Sequence, residues 1–345
     1  MADSNDKDNV LSMILVMGVT GAGKSYFINQ LAGQDAVQEG HTLNACTQTC
    51  QLVPAEVGDS KVLLMDTPGF DDPVRTDAEI LNEIADVLAA QYKLGVKLKG
   101  IVYLHRITDI RYTGASIKTF EICKKICGID ALKNVILATT RWDGLNDALG
   151  SDREHQLREE FWAYMLGHGS KMSRFHGDRG SAVSLLSQLL SSEPVVLELQ
   201  RELVQEGKTL DQTTAGAYVE HNLDQLKARY EQQMADLEHL KQELQENDRK
   251  MKRQIQKDWE ADQARLAAVR KEKEQLQRPV SQEIDQQIKQ KKSRTRKVLG
   301  FLPTAIGILA GLAGIPTGVL PLLVSWFQDT NSEFDMSSFT DLLAF

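Results

Sequence analysis

The chain has 345 residues, 42% of them hydrophobic, with 48 Asp and Glu against 40 Lys and Arg. That length holds one sizeable core plus a second region, and a formal net charge of −8 argues against a general nucleic-acid binder. The polar start carries no secretory leader pattern, so the four cysteines, Cys46, Cys50, Cys123 and Cys127, are expected to be reduced thiols in the cytosol.

Residues 1–9 are polar and are expected to be disordered. An apolar run over residues 10–17 predicts a buried strand. It leads into Gly18, Thr20, Gly21, Ala22, Gly23, Lys24 and Ser25, which match the pattern G-x-x-x-x-G-K-[ST] at every fixed position, and a helix is predicted from Tyr26 onward. Glycines let the backbone wrap a triphosphate without a Cβ in the way. The loop amides and the positive helix terminus would face the phosphate oxygens, Lys24 would reach the β- and γ-phosphates, and the Ser25 hydroxyl would ligate Mg²⁺. A switch of this kind needs a threonine that closes on Mg²⁺ when the γ-phosphate is present. Thr47 is the candidate and Thr49 the alternative.

The run 61–65 predicts a second buried strand, ending in Asp66-Thr-Pro-Gly69. Asp66 would hold Mg²⁺ through water and the Gly69 amide would bind the γ-phosphate. Phe70 stands where Ras-type enzymes carry a water-orienting glutamine, so the attacking water needs another helper. Helices are predicted over 76–94, with Thr76 and Glu79 as a capping box, and over 113–127. Between them, a strand at 100–105 exits into 106–113, a segment rich in groups that bind phosphate or carboxylate. A strand at 134–139 ends in Thr140-Arg-Trp-Asp143, similar to the [NT]-K-x-D motif that reads guanine. Asp143 would accept from the base N1–H and 2-amino group, donors that adenine lacks, and Arg141 would stand where lysine packs over the loop. A helix at 152–166, a short strand at 171–175 and a helix at 181–190 complete the pattern. A fifth base-contacting motif belongs near 174–178 but has no clear residue. Cys123 and Cys127 share a helical face; small apolar packing is the expectation, a zinc site with Cys46 and Cys50 the alternative. Strands alternating with helices predict an α/β fold, a mostly parallel sheet covered on both faces.

Residues 10–190 resemble the septin-like GTPases that include the GTPases of immunity-associated proteins and the chloroplast outer-envelope import receptors. The residues that carry this are G-x-T-G-A-G-K-S, the segment Thr47-Gln-Thr-Cys-Gln51 (family T-K-x-C-Q), D-T-P-G-F-D, T-R-W-D-G-L (family T-R-K-D-D-L) and Arg111-Tyr-Thr113 (family R-[FY]-T). The stretch 103–107 is similar to that of fungal GTPases of comparable length. The resemblance implies a P-loop GTPase domain binding GTP or GDP with Mg²⁺, and G domains that pair across their nucleotide faces. It nominates Arg111 as an arginine acting on the partner's nucleotide; a local carboxylate is its other candidate partner. Trp142 departs from the family's lysine.

Beyond residue 190 the expectations are a helical linker over 191–217, a coiled coil or long helix over 218–278, a basic linker over 279–297, a membrane segment over 298–327 and an acidic tail over 328–345. The seam Val219, Leu223, Leu226, Tyr230, Leu237, Leu240, Leu244, Met251 has steps of three, four and seven, and slips phase before Ile255. Extended, about 60 residues would make a rod of roughly 90 Å; folding back on the G domain is the alternative. Residues 298–327 carry no charge and follow a cluster of Lys and Arg, a tail-anchor-like arrangement facing the cytosol. One tilted span, a broken pair turning near Gly314 and Pro316, or a buried core hairpin all fit this stretch. The expected whole is a slowly hydrolysing GTP switch that pairs with itself and sits on a lipid membrane. A GTP-gated scaffold, or a membrane-perturbing effector triggered by GTP, is the alternative.

Overall fold

A computed structural model of the chain describes residues 11–33, 36–37, 49–72, 74–243, 249–295 and 301–330. The G-domain part runs β1 (Ser12–Gly18), α1 (Lys24–Ala32), β2 (Gln51–Val57), β3 (Ser60–Asp66), α2 (Asp77–Lys93), β4 (Lys97–Arg106), α3 (Gly114–Cys127), β5 (Val135–Thr140), α4 (Asp147–Gln156), α5 (Ala163–Gly167), β6 (Lys171–Arg174) and α6 (Arg179–Leu190). The strands form one sheet in the order β2-β3-β1-β4-β5-β6, all parallel except β2, which runs antiparallel to β3. This is the expected α/β architecture, a mostly parallel sheet with a core on each face. Every residue of β1 is buried, as a central parallel strand with both faces covered requires. Met13, Leu15 and Met17 join one core with α2 and α3; Ile14 and Val16 join the other with α1 and α6.

The edge strand β2 has no counterpart among the predicted strands. Its Pro54 lowers strand propensity, and an edge is where a proline is tolerated. A tight turn with Gly58 at φ +59° joins it to β3. At the start of α2, Thr76 Oγ1 accepts from the Glu79 amide and the Glu79 carboxylate accepts from the Thr76 amide.

The C-terminal region is helical: α7 (Glu198–Gln200), α8 (Thr214–Glu243), α9 (Arg249–Leu276), α10 (Val280–Thr295), α11 (Phe301–Ala313) and α12 (Leu320–Thr330). No extended rod forms. Helices α8 and α9 lie side by side and antiparallel, since Lys273 late in α9 pairs with Glu220 (3.1 Å) and Asp224 (2.6 Å) early in α8. Lys241 late in α8 donates to Gln256 early in α9 (2.9 Å). At the base of this pair Val219, Leu223, Val269 and Leu276 are buried in the core that includes α2. Away from the base, Leu240 and Met251 are exposed. Arg278, in the bend before Pro279, clamps α9 and α10 onto α2 by contacts with Asn82 (3.1 Å), Asp86 (3.3 Å) and Glu283.

Among the described residues, the stretch expected to form a membrane segment holds two short helices, α11 and α12. No helix among the described residues is long and apolar enough to cross a membrane. Helix α11 packs on α2 and β2, burying Ala305, Ile306, Ile308 and Leu309. Gly314, at φ +74°, breaks the run, and its carbonyl accepts from the outward amide of Leu52 on the sheet edge (3.0 Å). Trp326 of α12 is fully buried, donates its indole N–H to Glu56 (2.7 Å), and lies under Lys61, whose Nζ is 5.8 Å from the ring centre. The apolar tail thus caps an edge that would otherwise present unpaired strand amides.

One contact of the C-terminal region is unfavourable near neutral pH. Burial, then the carboxylates of Asp77 and Glu79, raise the Glu272 acid to about 6, with Lys118 opposing. The folded chain therefore binds the proton more tightly than the unfolded chain, whose ordinary value is 4.5. Stability falls as pH rises between those two values, and the loss is complete above about 6. Glu272→Gln is expected to raise Tm by about 2 °C at pH 7.5 and to leave it unchanged at pH 4, as read by circular dichroism melts.

Candidate functional site

The site begins where β1 ends. Gly18 sits at φ +142°, and a Cβ there would overlap the carbonyl of Leu104 on β4. Gly21 and Gly23, at φ +75° and +92°, take the left-handed conformations that turn the chain into α1. Lys24 is buried and donates to the carbonyls of Gly18 (2.9 Å) and Val19 (3.1 Å). Burial lowers its pKa, while the charges of Asp66, Asp71 and Asp72 push it back up. The Ser25 hydroxyl donates to Asp66 Oδ2 at 2.9 Å, so the end of β3 meets the start of α1. Thr67 ties the same loop to the Val16 carbonyl (2.8 Å). Gly69 is pressed against the phosphate loop: a Cβ there would lie 2.5 Å from the Thr20 nitrogen.

The end of β5 is fastened to this loop, because the Thr140 hydroxyl donates to the Ala22 carbonyl at 2.9 Å. Arg141 follows at φ +62°, the one non-glycine residue with positive φ among those described; a side chain held there is strained and marks a built turn. Arg141 and Asp143 are exposed. Tyr26 on α1 donates to the Gly177 carbonyl at 2.7 Å, and a Cβ on Gly177 would lie 3.9 Å from Asp143 Oδ2. Tyr26, Asp143 and Gly177 therefore form one rim. Trp142, at the family's lysine position, points inward and donates to Thr139 (3.2 Å), with the Arg174 guanidinium 4.1 Å over its ring and held by Glu154 (2.6 Å). Within the region expected to hold the fifth motif, Arg174 buttresses Trp142 and Gly177 faces the rim.

Thr47 lies outside the described residues, as does Cys46; Thr49 is exposed. Arg111 is exposed, and no ion pair holds it among the described residues. Its neighbours fix its loop: Tyr112 stacks on Phe161 (centroids 4.3 Å apart), and Thr113 caps α3 by accepting from the Ser116 amide. His105 beneath them is neutral, its pKa lowered by burial to about 4. Glu83 on α2 joins the two loops on either side of β2 and β3, accepting from the Cys50 amide (2.6 Å) and pairing with Arg75 (2.6 Å). Cys50, Cys123 and Cys127 are buried, and no cluster of three or more His, Cys, Asp or Glu suited to a metal occurs among the described residues.

Sequence reasoning assigned no role to Asp71, Arg106 or Gly177. Asp71 closes the D-T-P-G-F-D run and accepts from the Thr20 amide at 2.6 Å. Arg106 ends β4 with a terminal nitrogen 3.0 Å from where a Gly21 Cβ would stand. The sequence signal for Asp71 was its place in a quoted motif; for Gly177 it was only a glycine in the expected window.

Residues 12–160 match the AIG1 family. GTP-binding protein A of Dictyostelium discoideum is 28% identical over 102 residues, covering 30% of this chain and 22% of that protein. Cell division control protein 11 of Encephalitozoon cuniculi (strain GB-M1) is 26% identical over 169 residues, 44% of this chain and 60% of that protein. The chain thus spans less than two thirds of the length of both curated relatives. Among solved structures, Toc33 from Arabidopsis thaliana in complex with Mg²⁺ and GMPPNP is 16% identical, with a TM-score of 0.42 over 54% of this chain and 88% of that one. Era from Aquifex aeolicus, as a variant bound to GDP and aluminium fluoride, is 16% identical with a TM-score of 0.41, over 54% and 58% of the two chains. Over residues 12–160, from β1 through α4, this chain is therefore similar to the AIG1 family.

Proposed function

We propose that the chain is a GTP-binding switch that hydrolyses GTP slowly and is completed by pairing of two G domains at a membrane surface. The observation that carries this is the bond from Thr140 to the Ala22 carbonyl, which sets the rim of Asp143, Tyr26 and Gly177 beside the phosphate loop. A triphosphate held by Gly18, Thr20, Gly21, Ala22, Gly23, Lys24 and Ser25 would then present its base to Asp143. The convergence of the Ser25 hydroxyl and the Asp66 carboxylate suits a hard cation with oxygen ligands. Mg²⁺ there, with Thr47 as the switch threonine, would neutralise phosphate charge. Gly69 supplies an amide at the γ-phosphate end. Titration with labelled GTP and ATP tests the core of the reading: selective GTP binding supports it, and equal affinity for ATP ends it.

Slow turnover follows from Phe70, which is buried in the core where a water-orienting glutamine would be exposed. Pairing of G domains is supported by Val74 and Ile110, 85% and 86% exposed in the loops next to the site, and by Arg111 beside Ile110. Arg111 would stabilise the transition-state charge in the partner. Arg111→Ala is expected to lower single-turnover phosphate release at least tenfold at high protein concentration and to have little effect at high dilution. An unchanged rate at every concentration removes the arginine from the mechanism. Membrane contact would use α11 and α12, whose apolar faces are now spent on the G domain. Their docking favours an effector form of the reading, in which GTP controls exposure of the tail on the cytosolic side.

A further inference from the structure

The DTPG loop rests on the phosphate loop through a carboxylate. Phe70 turns into the core, and the next residue, Asp71, accepts from the Thr20 amide with Oδ1 at 2.6 Å. The closure is tight, because a Cβ on Gly69 would lie 2.5 Å from the Thr20 nitrogen and 2.6 Å from both Asp71 Oδ1 and the Thr20 hydroxyl. That hydroxyl is buried and makes no hydrogen bond among the described residues. The Asp71 charge also reaches Lys24, where it favours the ammonium against burial. The Asp72 charge reaches Lys24 as well, but its carboxylate is committed to its own turn, accepting from the amides of Val74 (2.8 Å) and Arg75 (3.0 Å).

A phosphate-loop amide and the loop lysine are the donors this fold turns toward phosphate oxygens. We propose that the Asp71 carboxylate is an internal stand-in for the γ-phosphate: it sits on the Thr20 amide in the diphosphate state and is displaced when a γ-phosphate arrives. The inference rests on the reading of this loop as a guanine-nucleotide site. Two anions cannot share one donor at this range without strong repulsion, so Asp71 sets the preference between GTP and GDP. Its displacement also moves Gly69 and Arg75, and Arg75 is joined through Glu83 to the Cys50 amide at the start of β2. Arrival of the γ-phosphate would thereby be felt on both sides of the site by one charge exchange.

The test is competition of GDP and GMPPNP against a fluorescent guanine nucleotide, with Mg²⁺, on the full chain and on Asp71→Asn and Asp72→Asn. Asparagine keeps the size and an oxygen that can accept from Thr20 but removes the charge. Asp71→Asn is expected to tighten GMPPNP at least tenfold while changing GDP less than threefold, and the unchanged GDP affinity reports an intact fold. Asp72→Asn should leave the ratio within threefold. Equal shifts for both nucleotides in Asp71→Asn, or the same gain in Asp72→Asn, overturn the stand-in. A wild-type chain that binds neither nucleotide overturns the nucleotide-site reading itself, and is seen before any variant is compared.

Discussion

An Asp143→Asn protein is expected to lose GTP and to accept xanthosine triphosphate. Guanine presents two donors, N1–H and the 2-amino group, to a carboxylate that offers only acceptors. Asparagine turns one of those acceptors into an N–H donor, which then meets the guanine amino group donor to donor. A polar group left unpaired at a site built to bind it is discriminated by orders of magnitude, so a loss of GTP affinity of about 100-fold or more is expected. Xanthine replaces the amino group by a carbonyl, and its affinity should rise to within about tenfold of the original GTP value. Asp143 is exposed and makes no described contact that carries the fold, so melting should be unchanged. Direct titration of both nucleotides checks the exchange; a variant that still prefers GTP would place the base elsewhere.

The strand–loop–helix turn over Gly18–Lys24 was legible because its pattern is contiguous: a loop of fixed length between strand and helix leaves no freedom in spacing, and β1 and α1 stand on either side of it. The central strands were legible because a strand buried on both faces must read as an unbroken apolar run, as in β1 and β5. The edge strand β2 was not, since Pro54 obscures a pattern that pairing with β3 on one side still permits. The C-terminal third left several packings open for a different reason. A seam such as Val219, Leu223 and Val269, Leu276 states that a face is buried but not against what. In the fold it is spent on a helical pair and on α2. Likewise, an uncharged run satisfies lipid tails and the leucines of α2 equally well. Only the break at Gly314 with Pro316 pointed to the hairpin, and it could not say that the partner was the sheet edge. Asp71 escaped notice because its role depends on where Phe70 points, a tertiary fact.

Trp326→Ala gives the tail a sign test. The indole is fully buried and bonded to Glu56. Truncating a buried tryptophan costs about 3–5 kcal/mol, and Glu56, which is exposed, adds little because water can replace the indole donor. If α12 is part of the cooperative unit, Tm should fall by roughly 10 °C. The same change should weaken the hold of β2 on α11 and α12, since Leu52–Gly314 and Trp326–Glu56 anchor neighbouring points of one edge. Flotation with anionic vesicles then separates two physical pictures. A tail already free to enter lipid loses an aromatic anchor when Trp326 is removed, so vesicle binding should drop. A tail captured by the G domain is released by the same substitution, so vesicle binding should rise. The rise is expected, and Glu56→Gln, which keeps an acceptor for the indole N–H, should produce a smaller rise. A fall in vesicle binding with unchanged melting would mean that the sheet edge does not hold the tail in solution. Any coupling between nucleotide and membrane would then have to run through another surface.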